Sequence, residues 1–290
     1  LGEAPELENY FVAAGMNSIG ILTGGGIGNL MSQWILDGKV SDYDITGMNI
    51  NRFQRFHSNV QYRSHRVVES LGMVYKLHYP NRSMLTARNN KRSPIHERLL
   101  NDQHAYFKDV SGWEGADWYG TNVVCGTDNV LAASQESIDE LQSEESLSWN
   151  REAWFDQWEK EHLACRNNVV LVDMSFMSKF LVQGKDAGKM LNRLSTANVD
   201  GKEGEITYTQ WLNDDGKMEA DLTVCKLDPT NNTILSGGGG GENGGSYLVV
   251  ATDTAHRHVQ NWMNRGGNEF RSDNGNDIRN WTITDVTGAF

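Results

Sequence analysis

The sequence predicts an α+β fold, and three observations carry that prediction. Apolar residues recur at helical spacing in two places: Ile27, Leu30, Met31, Trp34 and Ile35, and later Ala187, Met190, Leu191 and Leu194. Two alternating runs, residues 204–212 and 218–225, flank Asn213-Asp214-Asp215-Gly216-Lys217 and read as an antiparallel hairpin. The 290 residues, 38% of them hydrophobic, suffice for two domains with buried cores.

A formal net charge of -12 argues against nucleic acid or an anionic membrane as the main partner, since both would be repelled. No apolar run approaches the ~20 residues of a membrane span. The 3 cysteines, Cys125, Cys165 and Cys225, lack Cys-x-x-Cys spacing, which suggests neither a disulfide framework nor a zinc site and suits a reducing compartment. The chain starts at Leu1 without a leader, and its first element looks like the last piece of a larger domain. It reads as a fragment.

In chain order, Tyr10–Ala14 is an apolar run expected to form a strand entering a glycine turn, with a helix beginning near Gly26. A strand, a side-chain-free turn and a helix N-terminus make a small anion or carbonyl site, because the first free N–H groups point outward along the helix dipole. A tight turn with close helix–sheet packing calls for similar residues, so the glycine cluster alone leaves both readings open. It is not a dinucleotide fingerprint, since no acidic residue at a strand end follows about 20 residues on.

A helix is expected from about Asn59 to Leu71, with Arg63, His65 and Arg66 on a solvated face and Arg66 supported by Glu69 at i+3. Residues 74–79 alternate as a short strand ending at Pro80. Ser93-Pro94 makes a helix start, with Ser as N-cap and Pro in the first turn. Residues 107–113 read as a further strand. Residues 121–147 are polar and acidic (Glu136, Asp139, Glu140, Glu144, Glu145) and read as a mobile linker at a domain boundary.

Beyond it, Trp154, Trp158 and His162 lie one turn apart on a helix beginning near Asn150, with His162 a packing residue rather than a ligand. Residues 169–175 read as a buried strand paired with the strand 179–184. A helix over 186–195, the hairpin already described, a strand over 247–251 and a helix over 254–264 complete the pattern. The glycine-rich tract between Thr230 and Ser246 is a flexible hairpin insertion; no Gly-Lys-Ser/Thr follows to make it a phosphate loop. Along 218–224, Met218, Ala220, Leu222 and Val224 share one face and Glu219, Asp221 and Thr223 the other, which meets either solvent or a cleft.

The wording Asn9-Tyr10-Phe11-Val12-Ala13-Ala14-Gly15-Met16-Asn17-Ser18 through Gly24-Gly25-Gly26-Ile27-Gly28, then Trp34-Ile35 and Asp37-Gly38, resembles known proteins. It is similar to the end of the FAD-dependent amine oxidase domain of the dimethylglycine and sarcosine dehydrogenase family. It is equally similar to the regulatory subunit of pyruvate dehydrogenase phosphatase. In that family the segment closes the FAD site, so the resemblance implies FAD contacts at Gly24, Gly25 and Gly26. The order Arg-Phe, Ala-Arg, Arg-Ser-Pro, Gly-Trp-Glu, Trp-Tyr resembles the family's small connecting domain, departing at Gly115-Ala116, where the family has Arg-Pro.

The second half resembles the N-terminal part of the aminomethyltransferase, or T-protein, of the glycine cleavage system. The likeness rests on Ala164-Cys165-Arg166, Val172-Asp173-Met174-Ser175-Phe176-Met177, Tyr208, Leu212-Asn213, Gly216, Asp221-Leu222-Thr223-Val224 and Ile283-Thr284-Asp285-Val286. It implies folate contacts at Met177, Tyr208 and Asp221, with Asp221 catalytic. The family's Asp-Val-Ser-His-Met is here Asp173-Met174-Ser175-Phe176-Met177, and its Asp-Asp-Leu is Ala220-Asp221-Leu222, so a histidine and one acid are lost.

Together the resemblances imply a four-part organisation. Residues 1–40 are the C-terminal remnant of an FAD-oxidase domain, 41–120 the small connecting domain, 121–147 the acidic linker, and 148–290 a partial aminomethyltransferase-like folate-binding domain. They imply FAD and tetrahydrofolate as cofactors of the full-length protein, a small-molecule N-methyl amine such as dimethylglycine or sarcosine as substrate, and the mitochondrial matrix as location. The alternative is a non-catalytic relative whose partner is the pyruvate dehydrogenase phosphatase catalytic subunit. No metal site is expected, and the fragment alone is not expected to be active.

Overall fold

The computed structural model describes residues 1–38, 40, 43–122, 131–132, 147–228, 244–266 and 280–288. In chain order the elements are β1 (Gly2–Glu3), β2 (Phe11–Val12), α1 (Gly20–Asp37), α2 (Val60–Val74), α3 (His96–Gln103), β3 (Ala105–Val110), β4 (Trp113–Tyr119), β5 (Thr121–Asn122), β6 (Leu131–Ala132), α4 (Phe155–Asn167), β7 (Ser178–Gly184), α5 (Ala187–Leu194), β8 (Ile206–Leu212), β9 (Met218–Lys226), β10 (Gly245–Ala251), α6 (His256–Gly266) and β11 (Thr282–Asp285). Helix and sheet are mixed, as α+β requires. The chain divides into two units, Leu1–Gln54 with Met177–Phe290, and Arg55–Phe176.

The first unit is built on a five-stranded antiparallel sheet in the order β11-β7-β10-β9-β8. Period-2 alternation sends Phe180, Val224 and Val249, which lie opposite one another in the ladder, to one face. There they meet Met190 and Leu191 of α5 and Val259 and Met263 of α6, all buried with Trp211, Leu222 and Tyr247. Each large side chain so buried contributes about 1.5–3 kcal/mol. The hairpin expected across Asn213 and the helix over 186–195 are both present.

Residues 169–174 form no strand: Val169 is 96% exposed, and Leu171 and Val172 are also exposed. The reason lies in the sheet. Strand β7, the expected partner, already has β10 on one edge and β11 on the other, so it offers no free hydrogen-bonding edge. Gly184 ends β7 at φ +141, and a Cβ there would stand 2.0 Å from the Asn280 carbonyl oxygen, so the approach of the β11 segment requires glycine.

The N-terminal segment belongs to the same unit. Leu1, Leu30, Met31 and Ile45 form a small core with Phe11, Met16, Ile27 and Trp34 against it. The segment is tied to the sheet half by Asn261 Nδ2 donating to Asn51 Oδ1 (3.1 Å), by Gln54 Nε2 donating to the Asp253 carbonyl (3.1 Å), and by an Arg257–Glu6 ion pair. Helix α1 begins at Gly20 rather than near Gly26, and the preceding strand is only Phe11–Val12.

In the second unit, Asn59 caps α2, its side chain accepting from Gln61 N (2.9 Å) and Tyr62 N (3.1 Å). Arg63 and His65 are exposed as expected, but Arg66 and Glu69 do not support each other. Arg66 pairs with Asp109 (2.9 Å), and Glu69 pairs with Arg82 (3.1 Å) while accepting from Leu85 N and Thr86 N. Tertiary partners displaced the local i,i+3 pair.

Residues 75–79 are irregular, not a strand, and α3 starts at His96 with Ile95 at the cap, two residues beyond the Ser93-Pro94 start. The strand expected at 107–113 is a hairpin, β3 and β4, turning at Ser111-Gly112. Its Tyr106 stacks on Trp118 (centroids 5.4 Å apart) and Trp118 on Trp154 (6.0 Å), so the tryptophan spacing does mark a packed face. His162 does not share it and is exposed on α4. Most of the acidic stretch at 121–147 and of the glycine tract lies outside the described residues.

Candidate functional site

The β8–β9 hairpin builds one wall of a cleft of about 550 Å³ in the first unit. Asn213 makes its turn: the side-chain Oδ1 accepts from Asp215 N (3.0 Å) and Lys217 N (3.0 Å), and Gly216 takes φ +74. From there β9 alternates. Ala220, Leu222 and Val224 enter the core, so Glu219, Asp221 and Thr223 face away from it.

The pairing register sets Tyr208 opposite Thr223 and Gln210 opposite Asp221, which makes Tyr208 and Asp221 diagonal neighbours on that face. The Asp221 carboxylate beside it raises the Tyr208 pKa, because ionising the phenol next to a negative charge is unfavourable. Met177, just ahead of β7, also lines the cleft, as do Thr46, Val250 at the end of β10 and the Thr252–Ala255 turn. Among the described lining residues are two carboxylates, Glu219 and Asp221, and no lysine, arginine or histidine. An apolar cleft with a carboxylate and a phenol can hold a flat, donor-rich ring and steady positive charge on it; it repels phosphate.

Met177, Tyr208 and Asp221 are therefore brought together. Where the family has its first acid, Ala220 is buried at the edge of the core. Gly24, Gly25 and Gly26 lie elsewhere, inside α1. Their amides donate within the helical ladder, and the unbonded amides of the first turn belong to Gly20, Ile21 and Leu22. A Cβ at any of the three glycines would meet nothing within 4 Å. The amide cradle expected at Gly24–Gly26 does not fit FAD, since a helix interior leaves no N–H groups to give.

Two features escaped the sequence. Glu219 Oε1 accepts from Asn213 Nδ2 (2.8 Å) and Oε2 from His258 Nε2 (3.0 Å). Burial pushes Glu219 up, but these bonds outweigh it and hold the carboxyl below its usual value. Strand alternation already put Glu219 beside Asp221; nothing in the sequence paired it with a helix 39 residues away. In addition, His256 bridges Ser178 Oγ (Nδ1, 2.9 Å) and Asp285 (Nε2, 3.1 Å). The Ser178 hydroxyl is buried and donates to the Thr252 carbonyl (3.2 Å), so this serine–histidine–aspartate line is a clasp and not a nucleophile. Among the described residues no group of three or more His, Cys, Asp or Glu could hold a metal ion, and no helix is long and apolar enough to cross a membrane.

Comparison with known proteins gives two family matches: the GCVT N-terminal domain over residues 95–290 and the FAD dependent oxidoreductase central domain over residues 40–93. Among curated relatives, 4-methylaminobutanoate oxidase (formaldehyde-forming) of Paenarthrobacter nicotinovorans is 37% identical over 78% of this chain and 25% of its own length. Human mitochondrial sarcosine dehydrogenase is 34% identical over 80% of this chain and 26% of its own length. The mouse mitochondrial pyruvate dehydrogenase phosphatase regulatory subunit is 30% identical over 91% of this chain and 27% of its own length. The chain thus spans about a quarter of the length of these relatives.

Proposed function

The chain belongs to the GCVT N-terminal domain family, and from that premise we propose that its cleft takes a reduced folate and passes a one-carbon unit to it. One observation carries the reading. Met177, Tyr208 and Asp221, which the family resemblance selects from three separate places in the sequence, line the same cleft. Asp221 accepts hydrogen bonds from the pterin nitrogens and steadies the positive charge that grows on the attacking nitrogen. Tyr208, its diagonal neighbour, helps to orient the ring, and Met177, Met218 and Val250 keep water from the reacting carbon.

In the whole protein the one-carbon unit comes from an N-methyl amine, such as sarcosine or dimethylglycine, in the mitochondrial matrix. The oxidoreductase central-domain match at 40–93 and the sarcosine dehydrogenase relative support this. FAD would supply the oxidation by taking a hydride equivalent from the amine. No step is assigned to Gly24–Gly26, and residues 1–40 remain the end of the oxidase domain in this reading, with 41–120 the connecting domain and 148–290 the folate half.

The test is a calorimetric titration of the 290-residue chain with (6S)-5-formyltetrahydrofolate. We expect saturable binding, weakened at least tenfold (about 1.4 kcal/mol) in Asp221→Asn. Absence of binding by the unaltered chain would overturn the folate reading and favour the regulatory relative, whose partner is a phosphatase.

A further inference from the structure

We propose that His258 is a positioning residue for this cleft, acting through Glu219, whose carboxylate is the second negative charge on the wall that carries Asp221. The inference rests on the folate reading and adds to it two residues that the resemblance does not select.

The geometry starts with strand pitch. Glu219 and Asp221 are two residues apart on one face of β9, so their side chains leave the strand roughly 7 Å from each other. Both line the cleft. The Glu219 carboxylate cannot swing away, because each oxygen is held: Oε1 by Asn213 and Oε2 by His258. Neither donor is loose. Asn213 is locked by its turn bonds to Asp215 and Lys217, and His258 sits on a helix anchored by Val259 and Met263, both fully buried, with its ring against Trp262 (5.8 Å between centroids).

The charges facing Glu219 are His258 and Arg265 from α6 and Asp221 from its own strand. Arg265 is itself paired with Glu3. No cation lines the cleft among the described residues, so its two carboxylates act together on whatever positive charge enters. That is what the transfer needs. As the lone pair of a folate nitrogen forms a C–N bond to a cationic iminium carbon, the π pair returns to the iminium nitrogen. The positive charge then sits on the folate nitrogen, whose proton passes to the departing amine as the old C–N bond breaks. A fixed negative wall favours both the incoming cation and the nitrogen that inherits its charge.

His258 keeps that wall charged. Burial favours the neutral carboxyl of Glu219, and the bond from His258 opposes it. Without the imidazole, Glu219 takes up a proton at a higher pH and the second charge is lost as the solution turns acidic.

The experiment compares two probes on the 290-residue chain at pH 5.5 and pH 8: tetrahydrofolate, whose N5 amine is partly cationic at the lower pH, and 5-formyltetrahydrofolate, whose N5 is an uncharged amide. Glu219→Gln should weaken tetrahydrofolate five- to tenfold at pH 5.5 and leave 5-formyltetrahydrofolate within twofold. His258→Gln should weaken tetrahydrofolate at pH 5.5 in the same direction as Glu219→Gln, by no more than that variant does, and return toward the unaltered affinity at pH 8. Glu219→Gln decides the charge role, and a His258→Gln variant that binds tetrahydrofolate like the unaltered chain at pH 5.5 overturns the part given to His258. If both probes weaken equally, or neither weakens, while the unaltered chain binds both, the charge role is overturned and the folate reading stands. If the unaltered chain binds neither, the folate reading falls and this inference with it.

Discussion

Tyr208 and Asp221 stand diagonally across the β8–β9 hairpin, on the face that lines the cleft. The pairing register alone makes them neighbours, and it puts a phenol and a carboxylate where a donor-rich ring can be held between them. Because Tyr208 is 62% exposed, its hydroxyl contributes to ligand positioning rather than to the core. Tyr208→Phe should therefore weaken folate binding three- to tenfold while shifting folding stability by less than about 0.5 kcal/mol. Titration calorimetry and a urea melt on the same preparation check both halves.

Glu69 offers a pH test of the second unit. Hydrogen bonds from Thr86 and Leu85, with the Arg82 pair, outweigh the burial that would raise its pKa and bring it down to about 2. A carboxyl depressed in the folded state stabilises fully above its unfolded pKa, about 4.3, and loses that contribution as pH falls toward 2. Glu69→Gln should cost about 2 kcal/mol at pH 7, with the difference from the unaltered chain shrinking steadily below pH 4.5. Denaturant unfolding at pH 7, 4 and 3 measures it; a difference constant with pH would contradict the assignment.

Gly184 joins β7 to the approach of β11. At φ +141 and with an Asn280 carbonyl 2.0 Å from any Cβ, Gly184→Ala must displace backbone, not side chain. A loss of about 3 kcal/mol or more is expected in urea, with the β7–β11 amides losing hydrogen-exchange protection first.

Gly25, by contrast, lies mid-helix facing open space. Gly25→Ala should stabilise the chain by about 0.5–1 kcal/mol. The 290-residue chain made alone should also emerge from gel filtration without bound FAD, since the amides of Gly24–Gly26 are spent within the helix. Stoichiometric yellow flavin would overturn that.

Residues 169–174 should be an early site of proteolysis, with thermolysin cutting near Leu171, and Leu171→Ser should change stability by no more than about 0.5 kcal/mol. Protection of this stretch would mean that it packs as the strand its composition suggests.

Where local pattern and burial coincide, the sequence by itself determined the outcome. The turn chemistry of Asn213–Lys217 set the hairpin, and the alternation of 218–224 separated the core face from the polar one, which it left open between solvent and a cleft. The helical spacing of Ala187, Met190 and Leu191 marked a buried face correctly, and family wording picked out three residues that share one cleft. Tertiary structure decided everything that depended on an available partner. Val169–Val172 has strand composition, yet β7 has no edge left to pair with it. Arg66 and Glu69 have helical ion-pair spacing, yet Asp109 and Arg82 claim them. Gly24–Gly26 look like a turn, but the helix begins one turn earlier and consumes their amides. Glu219 is legible as a polar strand residue, and only the docking of α6 on the sheet brings His258 to it. A hydrogen bond or strand edge can be used once, and which of several candidates uses it is settled by packing across tens to hundreds of residues, which no local window contains.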